Sequence, residues 1–279
     1  MAGFATIVYN TPANGVNAVN TDAVAAVDPD FSQRNNHYIF TESYRLLAAS
    51  LIGVSVTRGR FQVPHWNAIG EFVLFNANRS LQPPSNPQWD WYIARQPWIP
   101  TNEEFQVQFS NNLGAATEIE NCVLQVVTED WSQNIPQGDL LLPVRVSFTV
   151  TPTLNAWSGP QLLTFSAALR GGVYAVVGGV LQGTNAVAWR IIFPRYKLYH
   201  GRKLRPGGLI QNAIGDVIAN QWDPWTMAMG EWGRFHTFEP PTIEVFGTAA
   251  GSITYQGFLW LVYLGENVSQ LSQGLGGGM

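Results

Sequence analysis

The sequence predicts an all-β chain built as two tandem antiparallel β-sandwiches, with long loops and one or two short helices. Three observations predict it. Short apolar stretches bounded by Gly, Pro, Asn and Asp recur along the 279 residues, while helical periodicity is scarce. The length and a hydrophobic share of 46% suffice for two ordinary cores. One segment occurs twice: EFQVQFSNNLGAATEIENCVLQVV (104–127) and TIEVFGTAAGSITYQGFLWLV (242–262). Each has an alternating first strand, a turn carrying Ala-Ala and an apolar second strand. Phe105 and Val107 correspond to Ile243 and Val245, Ala115-Ala116 to Ala249-Ala250, and Val123-Leu124 to Phe258-Leu259. Upstream, GRFQVP (59–64) and WRIIFP (189–194) both end a strand on proline. The separations all lie near half the chain length, the mark of a duplicated unit.

Taken in order, residues 1–36 read as an extended N-terminal arm in which Thr6–Tyr9 fits a short strand. The first sandwich is expected over 37–138. Within it, TESYRLLAAS (41–50) fits the opening of a short helix with Thr41 as N-cap. Strands follow at Leu51–Thr57 and Arg60–Val63, and Pro64, which lacks a backbone donor, ends the second. Glu71–Asn76 is another strand. Residues 80–100 hold five prolines and the tryptophans Trp89, Trp91 and Trp98, and read as a long loop pinned by aromatics. The polar SQNIPQGD (132–139) is the linker.

The second sandwich is expected over 139–265. Val144, Val146, Phe148 and Val150 alternate along a half-buried strand, and 162–165, 173–177 and 187–193 continue the β pattern. The Gly pairs at 171–172 and 178–179 mark turns or bulges. From Gly207, Ile210, Ala213, Ile214, Val217 and Ile218 follow helical spacing, with Pro206 in the first turn. A second aromatic loop, 222–238, contains Trp222, Trp225 and Trp232 and precedes its hairpin as 80–100 precedes the first. Residues 266–279 form a Gly-rich, flexible tail.

Charge is sparse, at 12% of residues against roughly 25% in soluble proteins. Of the basic residues 13 are Arg and only 2 are Lys, and Trp numbers 11. Interfaces favour Arg and Trp over Lys, so this composition points to surface hidden in an assembly. Net charge is −4, and residues 1–33 contain no Lys or Arg, so direct nucleic-acid binding is not expected. Residues 1–139 carry 6 basic and 13 acidic side chains, and residues 140–279 carry 9 and 6, so the two halves are opposite in sign. Cys122 is the lone cysteine and reads as a small buried hydrophobe. The first residues lack a signal-peptide pattern and no apolar run is long enough to cross a bilayer, so synthesis in a cytoplasm is expected.

No nucleophile elbow, phosphate loop or zinc spacing is present, and the histidines His37, His65, His200 and His236 are scattered. The carboxylate pairs Glu118/Glu120, Asp28/Asp30 and Glu103/Glu104 read as solvated surface. The chain is therefore expected to be no enzyme, with no catalytic, cofactor-binding or metal residues. The densest charge lies in RIIFPRYKLYHGRKLR (190–205). Arg195, Lys197, Arg202, Lys203 and Arg205 there, with Trp89, Trp91, Trp98, Trp222, Trp225 and Trp232, are the candidate inter-subunit contacts. Exposed Trp can also stack on sugar rings, so a carbohydrate- or receptor-binding protein such as a viral spike is the alternative.

Tandem sandwiches, long loops, little charge and no active-site motif together resemble the double jelly-roll major capsid proteins of tailless icosahedral viruses, among their small phage members. The resemblance is architectural, covers nearly the whole chain and transfers no individual residue. It implies two upright jelly rolls per subunit and three subunits in a pseudo-hexagonal capsomer within a virion. It also implies neighbouring capsomers, minor capsid proteins and an internal membrane as partners. On that reading the tryptophan loops form the tower and the trimer contacts, and the basic loop faces an acidic neighbour.

Overall fold

The computed structural model describes residues 3–11, 17–67, 72–76, 89, 91–92, 97–112, 120–129, 131, 135–194, 205–212 and 230–271. In the first unit the strands are β1 (Phe4–Thr11), β2 (Thr21–Asp22), β3 (Val24–Ala25), β4 (Ser32–Arg34), β5 (His37–Ile39) and β6 (Tyr44–Ile52). They continue with β7 (Val56–Gln62), β8 (Phe72–Phe75), β9 (Trp91–Tyr92), β10 (Trp98–Ile99), β11 (Glu104–Asn111) and β12 (Glu120–Thr128). The second unit has β13 (Asp139–Val150), β14 (Gln161–Leu162), β15 (Thr164–Phe165), β16 (Val173–Gln182) and β17 (Ala186–Ile192). It ends with β18 (Gly207–Gln211), β19 (Gly233–His236), β20 (Thr242–Gly247) and β21 (Ile253–Gly265).

Both units share one connectivity. In the first, one sheet runs β10-β6-β12-β1-β3 and the other β4-β5-β11-β7-β8. Leaving aside the short β2, β3, β4 and β9, eight principal strands in chain order fall into sheets ordered first–eighth–third–sixth and second–seventh–fourth–fifth. In the second unit, with the short β15 beside β13 left aside, β13-β21-β16 with β19 on β16 is again first–eighth–third–sixth, and β14-β20-β17-β18 is second–seventh–fourth–fifth. This is the jelly-roll arrangement, twice. The duplicated segments, expected as hairpins, are β11–β12 and β20–β21, the seventh and eighth strands of each unit; they are not hairpins, because the two strands of each cross from one sheet to the other. GRFQVP and WRIIFP close the fourth strands, β7 and β17. One difference is a short parallel pairing of β16 with β18, through Leu181↔Ile210 and Gln182↔Gln211, which joins the two sheets of the second unit.

The first core lies between its sheets. Ile7, Tyr9, Leu124 and Val126 from one side meet Phe61, Phe105, Val107 and Phe109 from the other. Phe61 and Phe105 stack with centroids 6.1 Å apart. The buried Tyr9 hydroxyl donates to the Phe105 carbonyl and accepts from the Tyr38 amide at 3.0 Å, so the polar tip is satisfied inside the core. Cys122 is buried in this core. Each such apolar side chain is worth about 1.5–3 kcal/mol of burial. The second core holds Phe148, Trp189, Ile191, Phe235, Tyr255 and Leu259.

Several sequence expectations are corrected. The expected N-terminal arm contains β1, which lies between β12 and β3 and is buried at every position. The expected helix at Thr41–Ser50 is mostly β6, whose neighbours are β12, β10 and β9. Both strands belong to a sheet covered on its two faces, so neither shows the alternation that marks a half-buried strand. The expected helix start at Gly207 is β18. A Cβ at Gly207 would lie 1.8 Å from the Trp189 carbonyl oxygen, so glycine there permits close strand pairing with β17. Ala213, Ile214, Val217 and Ile218 lie outside the described residues. A single helical turn, Pro64–Asn67, follows β7. In the expected tail, Val268–Leu271 form a 3-10 turn with Leu271 buried, and Arg234 Nη1 donates to the Gln270 carbonyl at 2.5 Å.

Candidate functional site

The functional features of this chain lie where its two jelly rolls meet and on the faces turned away from that meeting. The outer face of the β6-β12-β1 sheet stacks on the outer face of β17, β18 and β20. Val8, Ile52 and Val123 from the first unit pack with Val187, Ala188, Leu209 and Phe246 from the second, with Trp89 and Trp157 partly buried at the margin. Phe4 meets Trp232 edge-on at 5.4 Å, and Trp232 lies 5.7 Å from Trp189. The Thr6 amide donates to the Arg205 carbonyl at 3.0 Å, and Gln125 Nε2 donates to the Gly207 carbonyl at 2.9 Å.

A ring of charge closes this junction. Asp28 and Asp30 follow β3 in the first unit; Arg190 on β17, Arg205 just before β18 and Glu244 on β20 belong to the second. Arg190 Nη1 donates to Asp28 Oδ2, and its Nε donates to Glu244 Oε2 at 2.7 Å. Arg205 Nη1 donates to the same Glu244 oxygen at 2.9 Å, and its Nε donates to Asp30 Oδ2 at 2.7 Å. The Asp30 amide donates to Asp28 Oδ1 at 2.8 Å, which closes the ring. Arg190 lies opposite Glu244 in the β17–β20 register, and its guanidinium carbon sits 3.9 Å above the Trp157 ring. Side-chain exposure is 1% for Arg190 and Asp28, 3% for Asp30, 7% for Glu244 and 13% for Arg205, so these pairs are shielded from water. Burial pushes the Asp30 carboxyl above the usual carboxylate range, against the pull of Arg205. Burial also works against the charge of Arg205, but Asp30 and Glu244 outweigh it and hold the guanidinium above its ordinary value.

The residues singled out in the sequence fall in different places. Arg205, expected to face an acidic neighbouring subunit, finds its carboxylates within its own chain. Trp232 is 5% exposed and is taken up in the junction core, not on an outer contact. Trp89 sits at the junction margin. Trp98 is 40% exposed, with the Arg45 guanidinium 5.7 Å over its ring. Trp91 lies on β9, paired with β6. Arg195, Lys197, Arg202, Lys203, Trp222 and Trp225 lie outside the described residues, as does Glu118. Asp28 and Asp30 are corrected from solvated surface to buried ion pairs, and Glu120 is likewise buried. Glu104 pairs with Arg34 at 2.5 Å at the surface, and Glu103 accepts the His65 amide at 2.9 Å. Sequence reasoning counted Arg190 in the basic stretch 190–205 without making it a contact candidate, and missed Glu244 and Trp157. The signal was a lone arginine inside the apolar stretch AVAWRIIF, since a charge rarely stays fully buried without a partner. Among the described residues, no three His, Cys, Asp or Glu side chains converge to hold a metal ion.

Two broad faces point away from the junction. On the second sheet of the first unit, Gln106 and Gln108 donate to Asp22 Oδ1 at 2.6 and 2.7 Å, beside Arg60. On the first sheet of the second unit, Arg145 bonds Gln256, and Thr149 pairs with Thr254 at 2.9 Å. The first is a polar β surface; the second is polar along β13, while Ala175, Val177, Val180, Trp260 and Val262 of β16 and β21 form a buried apolar cluster on the same face.

No family model matches this chain, and no curated protein matches it significantly. One solved structure does. The major capsid protein P2 from Bacteriophage PM2 aligns over 96% of this chain and 99% of its own, at 9% identity and a TM-score of 0.22.

Proposed function

We propose that the chain is a structural shell subunit: the major capsid protein of an icosahedral virus or phage, assembling as trimers that form pseudo-hexagonal capsomers. The observation that carries this reading is the way the two jelly rolls are joined. The first sheet of one unit is stacked on the second sheet of the next, a head-to-tail contact between unlike faces. Contacts of this type repeat, and they generate rings when the rotation closes. The outward second sheet of the first unit and the exposed β13 side of the outward first sheet of the second are the two faces such a repeat would use. Three chains would then place six jelly rolls around a threefold axis. The acidic first half and basic second half suit neighbours that alternate along the ring. Sparse charge and abundant Arg and Trp suit a protein whose surface is largely covered by its own copies.

On this reading the chain works in a virion, with neighbouring capsomers, minor capsid proteins and an internal membrane as partners and no direct contact with the genome. Trp98 and the basic and tryptophan residues of 195–203 and 222–225 are the contact candidates. Static light scattering across salt and protein concentration tests it. A mass of three chains of 30.8 kDa each is expected. A monomer under every condition overturns the reading.

A further inference from the structure

The buried ring of Asp28, Arg190, Glu244, Arg205 and Asp30 holds three carboxylates against two guanidiniums. Among the described residues it therefore carries one negative charge in excess, in a place where water reaches little of it. Unpaired charge is costly in such surroundings. Every contact of the ring between Asp28 or Asp30 and an arginine crosses from one jelly roll to the other. The excess charge is thus borne by the junction itself.

We propose that this ring is an acid-tightened clasp: uptake of one proton neutralises it and locks the two jelly rolls together, and loss of that proton loosens them. The inference concerns the junction within one chain and stands independently of the trimer.

Asp30 is the group placed to take the proton. Burial already raises its proton affinity. It touches Arg205, follows Asp28 by two residues and feels Arg190. Glu244 faces the ring from β20, where both arginines bond the same Oε2. Tyr38 from β5 completes the surroundings. Its hydroxyl donates to the Ala26 carbonyl at 2.5 Å, and burial pushes its phenol well above the usual range, so it stays neutral. The sign follows from linkage. A carboxyl with raised proton affinity holds its proton in the joined state after a solvated one would release it. The joined state then binds more protons, and its stability falls as pH rises. The gain is fully present below the ordinary carboxylate value of about 3.9 and is lost as pH climbs through the raised value.

The inter-unit hydrogen bond from the Thr6 amide to the Arg205 carbonyl is a local reporter. Amide hydrogen exchange of residues 4–9 in the full chain, corrected for the chemical exchange rate, is compared between about pH 4.5 and about pH 8. Wild-type protection is expected to fall with rising pH. Asp30→Asn mimics the protonated carboxyl while keeping an acceptor for Arg205, and its protection is expected to be high and flat. A wild-type profile that is flat or rises with pH overturns the clasp. So does an Asp30→Asn protein that keeps the wild-type slope. Asp22→Asn, on the outward face of the first unit, serves as a comparison and is expected to leave the slope unchanged; loss of the slope there also overturns the assignment to Asp30.

Discussion

Replacing Arg190 with methionine asks the most of the junction. The side chain is 1% exposed and satisfies two carboxylates, Asp28 and Glu244, while stacking on Trp157. Methionine matches its aliphatic length but offers neither the charge nor the donors. Glu244 would keep Arg205 at 2.9 Å, and Asp28 would keep the Asp30 amide at 2.8 Å, but Asp28 would lose its only cationic bond among those described. Breaking a buried pair from one side costs about 3–5 kcal/mol, because the remaining charge has neither partner nor water. Whole-domain stabilities are about 5–15 kcal/mol, so the loss is a large fraction of the total. The companion variant Asp28→Asn/Arg190→Met/Glu244→Gln removes the charges from both sides. Replacing a whole buried ion pair is often neutral, so much of the stability should return, to within about 2 kcal/mol of wild type. Urea unfolding followed by tryptophan fluorescence and far-ultraviolet circular dichroism gives both numbers. A single variant that loses less than about 1 kcal/mol, or a triple variant no better than the single one, would refute the reasoning.

Trp232→Ala should cost about 3–5 kcal/mol in the isolated chain, since the ring fills the core between Phe4 and Trp189. Thermal unfolding at a concentration where the protein is monomeric checks it, and an effect confined to the oligomer would return Trp232 to an inter-subunit contact. Arg34→Ala should change stability by less than about 1 kcal/mol, because its partner Glu104 is a surface neighbour and the arginine side chain is 58% exposed. A similar urea titration measures it, and a loss comparable to that of Arg190→Met would contradict the distinction between buried and exposed pairs.

Much of this fold is legible in the sequence. The strand β13 alternates cleanly because only one of its faces meets the core, and its Val144–Val150 run showed that period. The duplicated segments and the proline-terminated strands fall on matching positions of the two jelly rolls, although each duplicated pair crosses between sheets and is not a hairpin. The misreadings share a cause. β1 and β6 belong to the sheet that carries a core on one face and the second jelly roll on the other, so their apolar residues do not alternate. In Thr41–Ser50, alanines and leucines without alternation resemble a helix. Gly207 heads a strand because β17 approaches it too closely for any Cβ, a constraint set by tertiary contact and invisible in local spacing. The junction ring was hidden for a related reason. Asp28 and Asp30 find their arginines 162 and 175 residues away, and nothing in the local sequence of a short acidic turn announces such partners. The lone Arg190 in its apolar strand was the better clue.

Electron microscopy of the purified oligomer tests the shell reading most directly. Two-dimensional class averages viewed down the symmetry axis should show six lobes of similar size around a threefold centre, two from each chain. Isolated two-lobed particles, or a four-lobed twofold dimer, would contradict it.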